Sequence, residues 1–236
     1  MDTVTSLIDT QAQEQSDAPA LIYRGQIITY LQFQQRARTV AENLARLGIK
    51  QGDRVAVWLP DVPAWLEVFF ACSELGAIAV AINTRFRSSE VGDILERSGA
   101  KVLILCPSFR GINFIEVLGQ IDAHYLTKIE SVVAYDEGDE FYKENIGNLP
   151  VCSFNALLHS AEPVSNLASA DSDCIIFTTS GTTKKPKLVL HAQKGINHHA
   201  REVAGVLGLS QPKAALLQVI PFCGVYGFSH AVAALA

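Results

Sequence analysis

The 236-residue sequence predicts an α/β fold, a mainly parallel sheet flanked by helices. Two observations carry this. Short apolar runs alternate with stretches of helical spacing along most of the chain. The runs RVAVWL (54–59), IAVAIN (78–83) and KVLILC (101–106) are also apolar along their whole interiors, the pattern of strands covered on both faces.

Taken in order, ALIYRG and QIITY meet at Gly25 as a short hairpin. Thr29 is placed to cap a helix that carries Phe33, Ala37, Val40, Ala41, Leu44 and Leu47 at helical spacing and ends at Gly48. After the strand 54–59, Pro63 occupies the first turn of a helix that runs to Leu75 and closes at Gly76, and the strand 78–83 follows. Ser88 or Ser89 opens the next helix, Gly99 lies just past it, and 101–106 is a third strand. A helix over about Ile112 to Ile121 leads to the strand SVVAYD (131–136).

Residues 137–150, EGDEFYKENIGNLP, are polar and acidic and read as a solvated excursion. PVSNLASADS (163–172) has linker composition, so the expected boundary divides a first subdomain, 1–165, from the start of a second, 166–236. The second unit reads as the strand CIIFTT, a loop, LVLH, a helix over roughly Gln193 to Leu207, a strand AALLQVI (214–220) and a buried helix beginning in GFSHAVAALA. That last stretch stops without a residue to satisfy its final carbonyls, which leads to the expectation of a fragment of a longer chain.

Composition narrows the function. With 49% hydrophobic residues the chain can bury a sizeable core. A net charge of −5, without a basic stripe, argues against a nucleic-acid surface. Cys72, Cys106, Cys152, Cys174 and Cys223 are odd in number and widely spaced, as reduced cysteines of a cytoplasmic protein are. The N-terminus lacks the pattern of a signal peptide, and no apolar run is long enough to span a membrane.

The chemistry concentrates in TTSGTTKKPKLVLH (178–191). Thr178, Thr179, Ser180, Thr182 and Thr183 offer hydroxyl donors, Gly181 admits close approach of backbone N–H groups, and Lys184, Lys185 and Lys187 bring positive charge. Such a loop suits a polyphosphate, with a plain polar hairpin as the bland alternative. A Walker A loop does not fit, because Pro186, Lys187 and Leu188 stand where Gly-Lys-[Ser/Thr] is required. His191, His198 and His199 have no carboxylate or cysteine at zinc spacing and read as a solvated helix face.

This loop closely resembles the phosphate-binding signature of the adenylate-forming superfamily, which includes acyl-CoA synthetases and peptide-synthetase adenylation domains. Thr179, Ser180, Gly181, Thr182, Thr183, Pro186 and Lys187 match it, while Lys184 and Leu188 replace glycines of the family pattern. The stretch from ITYLQF to AINTRF is similar to the family's N-terminal region, and PFCGVYGF (221–228) resembles the start of its acyl-binding wall.

The resemblance implies the incomplete N-terminal domain of an acyl-CoA synthetase-like fold and an ATP-dependent acid–CoA ligase. The substrates would be a carboxylic acid, ATP and coenzyme A, with Mg²⁺ as companion ion. It implies a catalytic role for Lys187. Thr179, Ser180, Gly181, Thr182, Thr183, Lys184 and Lys187 would bind the nucleotide, and Phe222, Cys223, Gly224 and Val225 would line the acid site. Cys223 reads equally as a small core residue. Family members continue with an adenine-binding block, a ribose-binding aspartate and a C-terminal lysine, so this stretch alone is expected to be inactive. A carrier-protein acceptor in place of coenzyme A, a non-catalytic binding module and a homo-oligomer are open alternatives.

Overall fold

The computed structural model describes residues 2–138, 141, 143–159, 162–179, 186–211 and 213–236. Its elements are α1 (Thr5–Glu14), β1 (Pro19–Tyr23), β2 (Gln26–Thr29), α2 (Tyr30–Arg46), β3 (Arg54–Trp58), α3 (Pro63–Leu75), β4 (Ile78–Ala81), α4 (Ser88–Ser98), β5 (Val102–Leu105), β6 (Ser108–Phe109), β7 (Ile112–Asn113), α5 (Phe114–Gly119), β8 (Ser131–Ala134), β9 (Asn145–Ile146), β10 (Leu149–Ser153), β11 (Asp173–Thr179), β12 (Lys187–Ala192), α6 (Gln193–Val206) and α7 (Val225–Ala234). Eight strands form one sheet in the order β12-β11-β4-β3-β5-β8-β10-β9. The pairings from β11 through β10 are parallel, and β12 and β9 run antiparallel to their neighbours.

The centre of the sheet follows from its residues. All four residues of β4 and of β5 are buried, because helices cover both faces. The expected helix signals act where they were read. Thr29 accepts from the Gln32 N–H while the Gln32 side chain accepts from the Thr29 N–H, a reciprocal cap at the start of α2. Pro63 opens α3, and Gly76 and Gly99 end α3 and α4 in the left-handed conformation that suits glycine. Trp58 and Trp65 are fully buried, and Trp58 stacks on Phe114 at 4.2 Å.

Several segments differ from expectation. The run 214–220 is not a strand, and Leu217 and Val219 are 85% and 72% exposed. A strand needs a ladder partner, and no described strand pairs with this run. The helix expected from Ile112 starts at Phe114, because Ser108–Phe109 and Ile112–Asn113 pair first and the Asn113 side chain then caps α5. The polar stretch after residue 136 carries β9 and leads into β10, which extends the sheet beside β8. Within it, Glu137 is not simply solvated: it accepts a 2.7 Å hydrogen bond from the Tyr23 hydroxyl and pairs with Arg24. The N-terminal stretch, unassigned from sequence, is helical from Thr5.

All five cysteines are free thiols, and four are buried. Among the described residues no helix is long and apolar enough to cross a membrane. β11, from the second expected unit, lies in register beside β4 of the first, Ile175 opposite Ala79 and Ile176 opposite Val80.

Candidate nucleotide and acid site

Because β3, β4 and β11 are parallel and in register, the segments that leave their carboxyl ends share one edge of the sheet. The three strands end there at Trp58, Ala81 and Thr179. The carboxyl edge is where open α/β sheets take their ligands.

The lysine-rich loop sits on the hairpin of β11 and β12. The last register pair before the loop is Thr179 opposite Lys187, and both residues are exposed. Directly opposed residues of an antiparallel pair project to the same face, so a hydroxyl and an ammonium stand together at the base of the loop. Ser180, Gly181, Thr182, Thr183 and Lys184 lie outside the described residues. Of the expected nucleotide-binding set, the structure therefore brings together Thr179 and Lys187.

Two contacts hold the hairpin. Phe177, fully buried on β11, packs edge-on against Phe228 at 5.1 Å and against the His191 ring at 5.7 Å. On the descending arm, Arg97 of α4 donates from Nη1 to the Pro186 carbonyl at 2.8 Å and to Asp93 at 2.9 Å. Sequence reasoning missed Arg97, whose visible signal was its spacing of four from Asp93 on one helix face. His191 belongs to β12 rather than to a helix face, and burial pulls its pKa down. His198 and His199 are exposed on α6.

The turn 221–224 occupies the same edge. The Phe222 N–H donates to Asp61 Oδ1 at 2.8 Å, and Asp61 lies just past β3. Phe222 is buried with its ring 5.6 Å from Trp65, so it serves the core as well as the turn. Cys223 is buried within reach of the Thr84 backbone beyond β4, and burial, reinforced by the negative Asp61, pushes its thiol up to about 11. The thiol therefore stays protonated at neutral pH and is a poor nucleophile. Gly224 caps α7, and Gly224 and Val225 are exposed. Gly227 permits the tight return of α7 over the turn, since a Cβ there would lie 2.4 Å from both the Ile220 and Pro221 carbonyl oxygens.

A mainly parallel sheet covered by helices is the architecture of acyl-CoA ligase N-terminal domains. The inhibitor-bound crystal structure of the N-terminal domain of FACL13 from Mycobacterium tuberculosis matches it with a TM-score of 0.77 at 26% identity, over 100% of this chain and 55% of that one. The chain belongs to the AMP-binding enzyme family, whose model matches residues 8–236. It is 30% identical to the long-chain-fatty-acid–CoA ligase FadD13 of M. tuberculosis, over 83% of this chain and 35% of the relative. It is 29% identical to the acetyl-coenzyme A synthetase of Pseudoalteromonas translucida, over 80% and 31%. The chain thus spans less than half the length of these curated relatives.

Proposed function

We propose that this chain is the part of an ATP-dependent acid–CoA ligase that receives the nucleotide's phosphates and forms one wall of the acid site. The observation that carries the reading is the Thr179–Lys187 pair at the root of the hydroxyl- and lysine-rich loop, on the same sheet edge as the Phe222–Cys223 turn. In the first step a carboxylate oxygen attacks the α-phosphorus of ATP. The bond from that phosphorus to the β-phosphate's bridging oxygen breaks, and pyrophosphate leaves with the electron pair. In the second step the sulfur of coenzyme A attacks the acyl carbon, AMP departs, and the thiol proton is lost.

Lys187 acts in the first step. Negative charge grows on the departing pyrophosphate, and an ammonium already in place stabilises it without reorganisation. The Thr179 hydroxyl, on the same face, donates to a phosphate oxygen, and Ser180, Gly181, Thr182, Thr183 and Lys184 complete the proposed nucleotide-binding set. Cys223, Gly224 and Val225 border the acid, with Phe222 fixing the turn from behind. Among the described residues no group of three or more His, Cys, Asp or Glu side chains is arranged to hold a metal ion. None of these roles passes through Mg²⁺, which would arrive with the nucleotide.

Which acid is taken does not follow from similarity, since relatives named for acetate and for long-chain fatty acids are equally distant. This stretch alone is expected to be inactive, and a cytosolic setting accords with its free thiols. The test is pyrophosphate exchange in the longer protein. Lys187→Ala should lower the exchange rate about 100-fold or more, as loss of a preorganised charge-stabilising group does. Lys187→Arg should recover part of it. An unaffected Lys187→Ala enzyme overturns the assignment. Lys184→Gly, which restores the family's glycine, should shift ATP affinity only modestly.

A further inference from the structure

The first turn of α6 gathers backbone from distant parts of the chain. Gln193, the residue after the end of β12, is fully buried. Its Nε2 donates to the Ser73 carbonyl in the last turn of α3 at 2.9 Å, and its Oε1 accepts from the Val4 N–H at 2.9 Å. One turn on, Asn197, 3% exposed, donates to the Thr3 carbonyl at 2.7 Å and to the Ser6 hydroxyl at 3.2 Å. Its Oδ1 accepts from Arg201 Nε at 3.1 Å. The segment before β11 joins the same knot: the Gln193 and Lys194 N–H groups donate to the Ser172 and Ala170 carbonyls, and Asn166 donates to the Thr5 hydroxyl.

Burying two amides is costly unless each finds partners, and an apolar side chain would fill the space without that demand. Here the amides bind backbone groups of residues 3, 4 and 73 and the Ser6 hydroxyl. Val4, the cap residue of α1, has no side-chain cap bond, and neither has Ala192, the cap residue of α6. The start of α1 is therefore completed by the Gln193 side chain, and the start of α6 by the Ser172 and Ala170 carbonyls. Val4, Leu7 and Ile8 are buried alongside.

We infer that residues 3–8 form a strap, and that Gln193 and Asn197 are positioning residues through which the docked strap fixes β12. The lever is geometric. Among the described residues β12 pairs with one neighbour, β11, and its end at Ala192 adjoins Gln193. Five strand steps, about 17 Å, separate Ala192 from Lys187. A rotation of roughly 10° at the α6 end would carry Lys187 about 3 Å, enough to undo any hydrogen bond it makes. The inference rests on the ligase reading only in naming Lys187 as the group being placed; the strap itself is independent of any ligand.

Backbone hydrogen exchange on the whole chain tests it without ligand. Gln193→Ala and Asn197→Ala should each speed exchange at β12 amides and at α1 together, by about tenfold, the worth of one unmade buried hydrogen bond. The amides of Val55–Trp58 and Val102–Leu105 should keep wild-type rates. Should either substitution abolish folding, Val4→Pro serves in its place, since Val4 already has φ −62° and proline removes the N–H that Gln193 accepts. If α1 loosens while β12 keeps its protection, or if protection falls uniformly across the sheet, the strap does not position β12. Either result would leave the role of Lys187 in pyrophosphate exchange untouched.

Discussion

The centre of the sheet and its β12 edge are held by different means. In β4 and β5 every residue is buried and each strand has a neighbour on both sides. Among the described residues only one side of β12 is paired, and Lys187, Val189 and Leu190 are exposed. The centre is stabilised by apolar area removed from water, which needs no particular partner atom. The edge is placed by directed contacts with particular partners: Arg97 on Pro186, Phe177 on Phe228, and the amides of Gln193 and Asn197 on residues 3 to 6. Stability and positioning are thus separate properties of two parts of one sheet, and the phosphate-binding candidate rides on the second.

The largest effect should come from the centre. Phe69 on α3 is fully buried, with rings of Phe70 at 5.3 Å and Phe228 at 4.8 Å against it. Phe69→Ala should cost about 3–5 kcal/mol in urea unfolding, transfer and cavity combined. Val189→Ala on β12, where the side chain is 37% exposed, should cost about 0.5 kcal/mol or less. Comparable losses at the two positions would erase the distinction.

A smaller effect sharpens the same contrast at helix starts. The α2 cap is local, Thr29 and Gln32 being three residues apart, whereas α1 draws on Gln193 from 189 positions away. Thr29→Ala should cost about 1 kcal/mol in unfolding. Exchange should quicken in the first turn of α2 and leave β12 unchanged. A disturbance reaching β12 from Thr29 would mean that local caps, too, set the edge.

The same division governs what could be read from sequence. Thr29, Pro63, Gly76 and Gly99 each act within a few residues of where they stand, so the alternation of strands and helices and the bounds of α2, α3 and α4 were legible. The loop was proposed from residue types that carry the chemistry themselves, and the turn at 221–224 from a contiguous motif; the site role of both is a proposal. Arg97, Gln193 and Asn197 were not, because their partners lie 89 to 194 positions away. α1 was missed because its sequence, TSLIDTQAQE, is weakly amphipathic and its start is completed by a distant glutamine. The run 214–220 misled for the opposite reason: apolar β-branched composition predicts a strand only where a neighbouring strand exists to pair with it.

The last prediction tests whether burial alone governs the centre, because that region also contains an ionisable pair. Glu67 of α3 is fully buried with Arg36 Nε 2.7 Å from its Oε1. Burial raises the Glu67 pKa above its ordinary value of 4.5, and the nearby Arg36 charge opposes the rise without cancelling it. The folded chain therefore holds this proton to higher pH than the unfolded chain does. Its contribution to stability is complete below the ordinary carboxylate range and is lost as pH rises through the folded value. Glu67→Gln removes that dependence, and Arg36, 40% exposed in its side chain, can turn to water. Relative to wild type, the variant should gain stability as pH climbs above the ordinary carboxylate range, read from urea midpoints. Asp61 and Glu74, raised by burial in the same sense, are present in both proteins and drop out of the difference. A wild type that instead gains on the variant with rising pH would mean that the Arg36 pair outweighs burial, and that directed contacts hold the centre as well as the edge.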